Sequence, residues 1–246
     1  MEGLENFKRK IESQIRRAIE GGVVLLPFLD DAEEGIVLSL MKNNKDIKAS
    51  FYGGIINADR KRCIISTYEV FKEDYRIHVL EIIYNKKYYE LYHRSVLGAL
   101  MSLGIKRECI GDIVICSDKR VFFSTTDEIY KFILQEFRSV GKAPIELKEV
   151  FFDVINEIRY ESKVHFLSSL RLDVIIAGAY SLSRSEVLEY LERGDISLNH
   201  IPNQNPSHIC VLDDEISVRH KGRVKITSIG GESKSGRIAV TLSKRV

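Results

Sequence analysis

Apolar residues along this chain recur at two periods, one helical and one strand-like, and the switches between them outline its elements. Leu4, Phe7, Ile11, Ile15 and Ala18 recur three or four apart and predict an amphipathic helix over residues 2–20. Lys8, Lys10, Arg16 and Arg17 fill the rest of that helix, and Gly21-Gly22 ends it. Leu25-Pro27-Phe28-Leu29 reads as a connector. Asp30 or Asp31 then caps a second helix reaching about Met41. Ala49–Tyr52 and Cys63–Ser66 read as short strands. Between them, Gly53-Gly54 is followed by Ala58-Asp59-Arg60-Lys61-Arg62. Three successive cations between a glycine pair and a strand predict a projecting basic loop at Arg60, Lys61 and Arg62, suited to RNA phosphates.

The next block carries a strand at Ile77–Tyr84 and a helix at His93–Leu103 that stops at Gly104. Strands at Gly111–Cys116 and Arg120–Ser124 flank a turn at Ser117–Lys119. Thr126 or Asp127 caps a helix to about Arg138, and Pro144–Val150 is a last strand. The order β-α-β-β-α-β is the ferredoxin-like arrangement that many RNA-recognition domains share. Phe122 and Phe123 are adjacent, so a strand sends them to opposite faces and at most one can meet a base. His93-Arg94 opens the first helix of this block. The sequence places no nucleophile or partner carboxylate with His93, which favours a helix-start histidine or an RNA contact over catalysis. Lys106-Arg107, in the loop before a strand, reads as a phosphate clamp.

From Asn156 to Phe166, Arg159, Lys163 and His165 alternate with Ile158, Tyr160 and Val164 as a linker strand. Two short helices follow. Ile175, Ile176 and Ala179 share one face of the first, with Leu172 beside it. Ser183 and Glu186 form a capping box for the second, whose apolar stripe is Val187, Leu188 and Leu191 and whose stop is Gly194. Asp195–Ile201 alternates like a strand, Pro202–Pro206 reads as a turn, and two more short strand patterns follow. The tail alternates Val224, Ile226, Ile229, Ile238, Val240 and Leu242 with cations, which predicts a folded hairpin with one basic face.

Composition changes this picture little, and charge distribution changes it more. The 246 residues are 44% hydrophobic and 29% charged, ordinary for a folded globular chain. A net charge of +2 does not by itself announce nucleic acid. From Ser217 onward, however, Arg219, Lys221, Arg223, Lys225, Lys234, Arg237, Lys244 and Arg245 are opposed by Glu232 alone. Cys63, Cys109, Cys116 and Cys210 show no metal-ligand spacing, so buried reduced thiols are expected, with no metal and no cofactor. No apolar run is long enough for a membrane span, and the N-terminus lacks the apolar core of a secretory signal; a cytoplasmic location is expected.

Arg171-Leu172-Asp173, Ser183-Arg184-Ser185-Glu186, Arg193-Gly194, Ile196-Ser197-Leu198-Asn199 and Asp214-Glu215-Ile216-Ser217-Val218 together resemble the S-four RNA-binding domain. His200 and Asp213 stand where glycines are common in that pattern, and Val187 where alanine is frequent. Over nearly its whole length the chain resembles the YlmH family of bacterial S-four-domain proteins, whose plant and cyanobacterial relatives are the photosystem II S-four-domain proteins. The matching segments are Pro27-Phe28-Leu29, Gly53-Gly54, Ala58–Arg62, His93-Arg94, Leu97-Gly98-Ala99-Leu100, Gly104–Arg107, Gly111-Asp112-Ile113 and Gly230–Arg237. Ser95 stands where the family commonly has aspartate. The resemblance implies a non-enzymatic factor that binds rRNA and tRNA on stalled large ribosomal subunits carrying peptidyl-tRNA, assisting tail elongation in ribosome-associated quality control. Links to cell division are also part of what it implies.

The expected fold class is α+β. It comprises an N-terminal α/β domain over residues 1–75, a ferredoxin-like domain over 76–155, and a linker strand plus S-four domain over 156–246. The expected RNA-contacting set is Arg171, Ser183, Arg184, Ser185, Arg193, Asn199, Arg219, Lys221 and Arg223, joined by Arg60, Lys61, Arg62, His93, Arg94, Lys106 and Arg107. A monomer binding the large ribosomal subunit is expected. Two other functions compete. An RNA-modifying enzyme guided by an S-four domain would fit Leu170-Arg171-Leu172-Asp173, which is similar to a pseudouridine-synthase aspartate motif but lacks its glycine and threonine. A cell-division scaffold would rest on the basic N-terminal helix alone.

Overall fold

The computed structural model describes residues 2–42, 44, 46–157, 160–233 and 236–245, with the side chains of residues 2–5 left aside. The expectations for the Leu4 side chain, Ile158, Arg159 and Lys234 therefore lie outside the described residues. The chain forms two compact units. One holds Lys10–Asp31 and Leu40–Glu157; the other holds the residues before Lys10, Ala32–Ser39 and the chain after Glu157.

The N-terminal helix α1 (Glu2–Ile19) buries Ile11, Ile15 and Ala18, which recur at the helical spacing. Strand β1 (Val24–Leu29) follows, then helix α2 (Asp31–Met41), β2 (Lys48–Tyr52) and β3 (Lys61–Ser66). The three strands form an antiparallel sheet in the order β1-β3-β2. The connector expected at Leu25–Leu29 is thus a strand. Proline cannot donate to a ladder, but β1 is an edge strand and its register slips between Leu25 and Phe28, where Pro27 sits. Burial of Leu26, Phe28 and Leu29 holds the strand in place.

The first unit, which also holds β1–β3, contains β4 (Ile77–Tyr84), α3 (His93–Ser102), β5 (Ile110–Ile115), β6 (Val121–Thr126), α4 (Asp127–Glu136), β7 (Ser139–Val140) and β8 (Ala143–Glu149), whose strands form a sheet in the order β5-β6-β4-β8-β7. Apart from the two-residue β7, each span lies within a few residues of its expected place. Leu80 and Ile82 of β4 and Phe123 of β6 pack with Val96 and Leu100 of α3 and Ile133 of α4. Phe122 faces the other way, as adjacent strand residues must, into a smaller cluster with Ile55, Ala58, Val114, Val150 and Val154. It is 2% exposed, so the sheet offers no open aromatic there.

In the second unit, β9 (Tyr160–Leu167), α5 (Leu172–Tyr180), α6 (Arg184–Glu192), β10 (Ile196–Leu198), β11 (Ile201–Pro202), β12 (Glu215–Val218), β13 (Gly222–Glu232) and β14 (Ile238–Arg245) form an antiparallel sheet ordered β11-β10-β12-β13-β14-β9. Helices α5 and α6 cover one face through Leu172, Ile175, Ile176, Val187 and Leu191, against Val224, Ile226, Val240 and Leu242. The expected linker strand is a full member of this sheet, with all eight residues of β9 paired to β14. The single strand expected at Asp195–Ile201 is instead a hairpin. Leu198 pairs with Ile201, and the two residues between them, Asn199 and His200, have φ of 50° and 66°. Positive φ at both central residues matches the twist of a two-residue hairpin and is normally met by Asn-Gly. Asn199 supplies half of that preference, and His200 adopts it at some cost. Asp213, with φ 70°, does the same before β12.

Candidate nucleic-acid interface

The cations of the second unit are arranged around a few carboxylates. Asp173, in the first turn of α5, is 3% exposed and accepts two hydrogen bonds from Arg171, at 3.0 and 2.8 Å. The Arg171 fork, despite that burial, holds the Asp173 carboxyl below the usual carboxylate range. Arg184, at the start of α6, also approaches Asp173, at 3.9 Å, while its side chain stays 78% exposed. A second carboxylate repeats the pattern: Asp195 lies 3.4 Å from Arg193 and 3.6 Å from Arg219. Each carboxylate therefore serves two arginines, and each trio keeps one net positive charge. The exposed members are Arg184, Arg193 and Arg219, and Arg193 lies over the Tyr190 ring at 4.8 Å.

Other members of the expected set hold the fold. Ser183 caps α6: its hydroxyl accepts from the Glu186 N–H, and the Glu186 carboxylate takes both the Ser183 N–H and O–H. Those bonds, with Lys221 nearby, keep the exposed Glu186 carboxyl below its ordinary range. Asn199 spends its side chain on Asp214 (2.8 Å) and on the Glu215 N–H (2.9 Å), which ties the hairpin turn to β12. Ser185 is exposed beside Ser183. On the hairpin, Arg223 pairs with Glu215 at 3.7 Å and Lys225 with Asp213 at 2.9 Å, so the expected basic face is largely matched by acids at these two positions.

In the first unit the expected projecting loop of Arg60, Lys61 and Arg62 does not form. Lys61 and Arg62 already belong to β3. Arg62 is 4% exposed, with donors to the carbonyls of Leu26, Tyr75 and Arg76 and to the Glu128 carboxylate. Burial lowers its pKa, against the pull of Glu128. Arg62 is thus an internal brace and not a projecting loop cation. The reason is register: the pairing of β3 with β1 and β2 starts two residues earlier than the apolar run suggests. Arg60 is half-buried and donates to the carbonyls of Ile110 and Phe28. Arg107 is half-buried too and donates to the carbonyls of Ile110 and Gly111. Burial, with Arg60 close by, pushes the Arg107 pKa down to about 10. His93 and Arg94 are exposed at the start of α3. Crowding of the His93 ring, together with Arg107, lowers the His93 pKa, while Asp112 opposes the shift. Lys106 is exposed, 3.9 Å from Glu108.

Asp173 and Asp112 lie in sequence motifs named above, but their role in arranging these cations, like that of Asp195, was not legible there. Asp112 accepts from the backbone N–H groups of Asp59 (2.7 Å) and Arg60 (3.0 Å), which fixes the approach to β3. Its position directly after Gly111 was the available signal. Elsewhere, His78 is clamped by Glu149 (2.6 Å) and Asp127 (2.9 Å) and stacks on Tyr130 at 3.9 Å. With both ring nitrogens occupied, it is a structural group. Cys63 and Cys210 are buried while Cys109 and Cys116 are half-buried, and none of the four is in a disulfide. Among the described residues no group of three or more His, Cys, Asp and Glu could hold a metal ion, and no helix is long and apolar enough to cross a membrane.

Comparison with known proteins adds three findings. Residues 71–154 match the family model described as "Putative RNA-binding domain in YlmH". The chain is 30% identical over 243 residues to the "Ribosome-associated protein quality control protein P2" of Bacillus subtilis (strain 168), covering 97% of this chain and 91% of that one. Its fold is similar to a solved structure titled "Cell division protein ylmH from Streptococcus pneumoniae", with a TM-score of 0.52 and 23% identity over 60% of this chain and 91% of that chain. A relative at this identity, aligned over nearly the full length of both chains, fixes the lineage: the chain belongs to the YlmH family.

Proposed function

We propose that this protein is a non-enzymatic RNA-binding factor of the ribosome. It would grip rRNA and tRNA on stalled large subunits that carry peptidyl-tRNA. The name of its Bacillus subtilis relative, a ribosome-associated quality control protein, supports a place on the ribosome. In this reading the second unit is an S-four domain, with α5 and α6 as its helix pair and the six-stranded sheet behind them. The β5-β6-β4-β8 strand order of the first unit supports a ferredoxin-like domain there, and the match of residues 71–154 to the family's putative RNA-binding domain supports a role for it in RNA contact. The carrying observation is the sharing of Asp173 by Arg171 and Arg184, and of Asp195 by Arg193 and Arg219. A carboxylate that serves two arginines orients both yet cannot neutralise both. The surplus charge faces water on α6 and at the start of the β12–β13 turn, where it can displace counterions from RNA phosphates.

The test is ribosome and RNA binding by the Arg184→Ala/Arg193→Ala/Arg219→Ala variant across a salt series. The expected result is weaker binding to large subunits, with the salt slope reduced by about 0.9 for each phosphate that is no longer neutralised. Unchanged affinity and slope, in a variant that keeps its circular dichroism spectrum and Tm, would overturn the proposal.

A further inference from the structure

Two guanidiniums far apart in sequence, Arg60 and Arg107, meet at the start of β5, and the His93 imidazole at the start of α3 lies within the electrostatic reach of Arg107. Arg60 precedes β3, His93 opens α3, and Arg107 lies in the short turn before β5. Arg60 Nε and Arg107 Nη1 donate to one and the same oxygen, the Ile110 carbonyl. Each guanidinium is pinned again, Arg60 Nη2 by the Phe28 carbonyl at 2.8 Å and Arg107 Nη1 by the Gly111 carbonyl at 3.2 Å. These bonds use only part of each five-donor fork. Asp112, the carboxylate that faces them from β5, is committed to the N–H groups of Asp59 and Arg60 and to Asn156 at 3.4 Å. Asp112 and Asp30 favour the charged form of Arg107 through space, without outweighing burial and the repulsion from Arg60.

This differs from the second unit, where every arginine discussed above lies within 4 Å of a carboxylate. Two fixed, half-buried guanidiniums that share a neutral oxygen repel each other, and a mobile anion relieves that repulsion. Guanidinium forks match phosphate oxygens in pairs, and pinning by carbonyls lowers the conformational cost of binding. A protonated imidazole at the first turn of α3 adds a third donor. We infer that Arg60, Arg107 and His93 form a phosphate-binding site, separate from the α5–α6 surface, that takes a phosphate group of RNA. RNA as the source rests on the function proposed above; the phosphate chemistry does not. Arg62 and Lys106 are outside the site, the first buried in β3 and the second projecting beside Glu108.

The lowered pKa of His93 leaves it mostly neutral at pH 7 in the free protein. Burial and then Arg107 lower that pKa, and Asp112 opposes them. A bound phosphate adds negative charge, so binding favours the imidazolium and raises the His93 pKa; a backbone phosphodiester, which does not titrate near neutral pH, binds more tightly as the pH falls.

The experiment follows the His93 imidazole by NMR in the full chain, with His93→Gln for assignment. Sodium phosphate is titrated against sodium chloride at matched ionic strength. A saturable phosphate-specific shift, a higher His93 pKa with phosphate bound, and affinity lowered about tenfold or more in Arg107→Gln and Arg60→Gln are expected. Arg107→Lys should retain part of the affinity. Because both glutamine variants remove packing bonds, the exposed His93→Gln serves as the variant least dependent on folding. It should weaken phosphate binding below pH 6.5. A second arm adds a single-stranded RNA oligonucleotide. RNA that shifts His93 and competes with phosphate supports RNA as the source. Phosphate saturation with His93 unmoved by bound RNA overturns that source and assigns the site to free phosphate. No saturable phosphate effect overturns the site itself, even if the α6 arginines prove to bind RNA.

Discussion

Replacing Arg62 by methionine keeps the apolar stem and removes a guanidinium that four groups depend on. The acceptors are the carbonyls of Leu26 at 3.0 Å, Tyr75 at 3.0 Å and Arg76 at 3.2 Å, with Glu128 at 3.3 Å. A buried acceptor left without a partner costs about 1–3 kcal/mol, and two of the three carbonyls are in buried contacts. The Glu128 side chain is 58% exposed, so its ion pair adds roughly 0–1 kcal/mol. Allowing for relaxation, the loss should be about 3–5 kcal/mol, a large share of the stability of a typical domain. Urea denaturation should show a lower midpoint with an unchanged m-value. RNA affinity of the folded fraction should equal that of wild type. A stability loss under about 1 kcal/mol, or weakened RNA binding with stability intact, would refute the assignment of Arg62 as an internal brace.

His78 should make stability fall with rising pH. Burial disfavours its charged form, but the hydrogen bonds to Glu149 and Asp127 outweigh that and raise its pKa above the ordinary 6.5. The contribution is therefore complete below about pH 6.5 and disappears as pH climbs through the raised value, with a slope of at most about 1.4 kcal/mol per pH unit. The stability difference between wild type and His78→Gln, read by denaturation from pH 5.5 to 8.5, should shrink across that range; a constant difference would contradict it. His200→Gly should raise stability by about 0.5–1 kcal/mol by relieving a positive φ that glycine adopts freely, measured as Tm. Gly111→Ala should cost about 2–4 kcal/mol, because a Cβ there would lie 2.2 Å from Ser124 Oγ and 2.6 Å from the Phe28 ring; thermal denaturation reads this directly.

How far the fold could be read from sequence depended on whether an element's signal was local. Helices α3, α5 and α6 announced themselves through apolar spacing and through stops at Gly104 and Gly194, and Ser183 with Glu186 marked the start of α6. Strand β1 was hidden because Pro27 is a breaker except on an edge with a bulge, and edge position is a property of the sheet. Strand β9 looked like a linker because most of its residues face solvent; its eight pairings are to a strand some eighty residues later in the chain. The Asn199–His200 turn was concealed for a different reason. Histidine gives no turn signal, and the hairpin forms because β10 finds both β11 and β12.

The candidate binding surfaces followed the same division, and charge alone was a poor guide to them. Arg62 and Arg184 look alike in sequence, as cations near an element start, but one braces the interior and the other projects into water. What separates them is the neighbour that each backbone register supplies: carbonyls from three segments for Arg62, and a carboxylate already held by Arg171 for Arg184. Sharing is also how a chain with a net charge of only +2 can present local positive potential. A one-to-one pair such as Lys225 with Asp213 cancels at a distance, whereas two arginines on one aspartate keep a unit charge at a fixed place. Arg60 and Arg107 go one step further, being held by carbonyls. A carbonyl orients a guanidinium without neutralising it, so the positive potential survives at the surface where an anion can reach it.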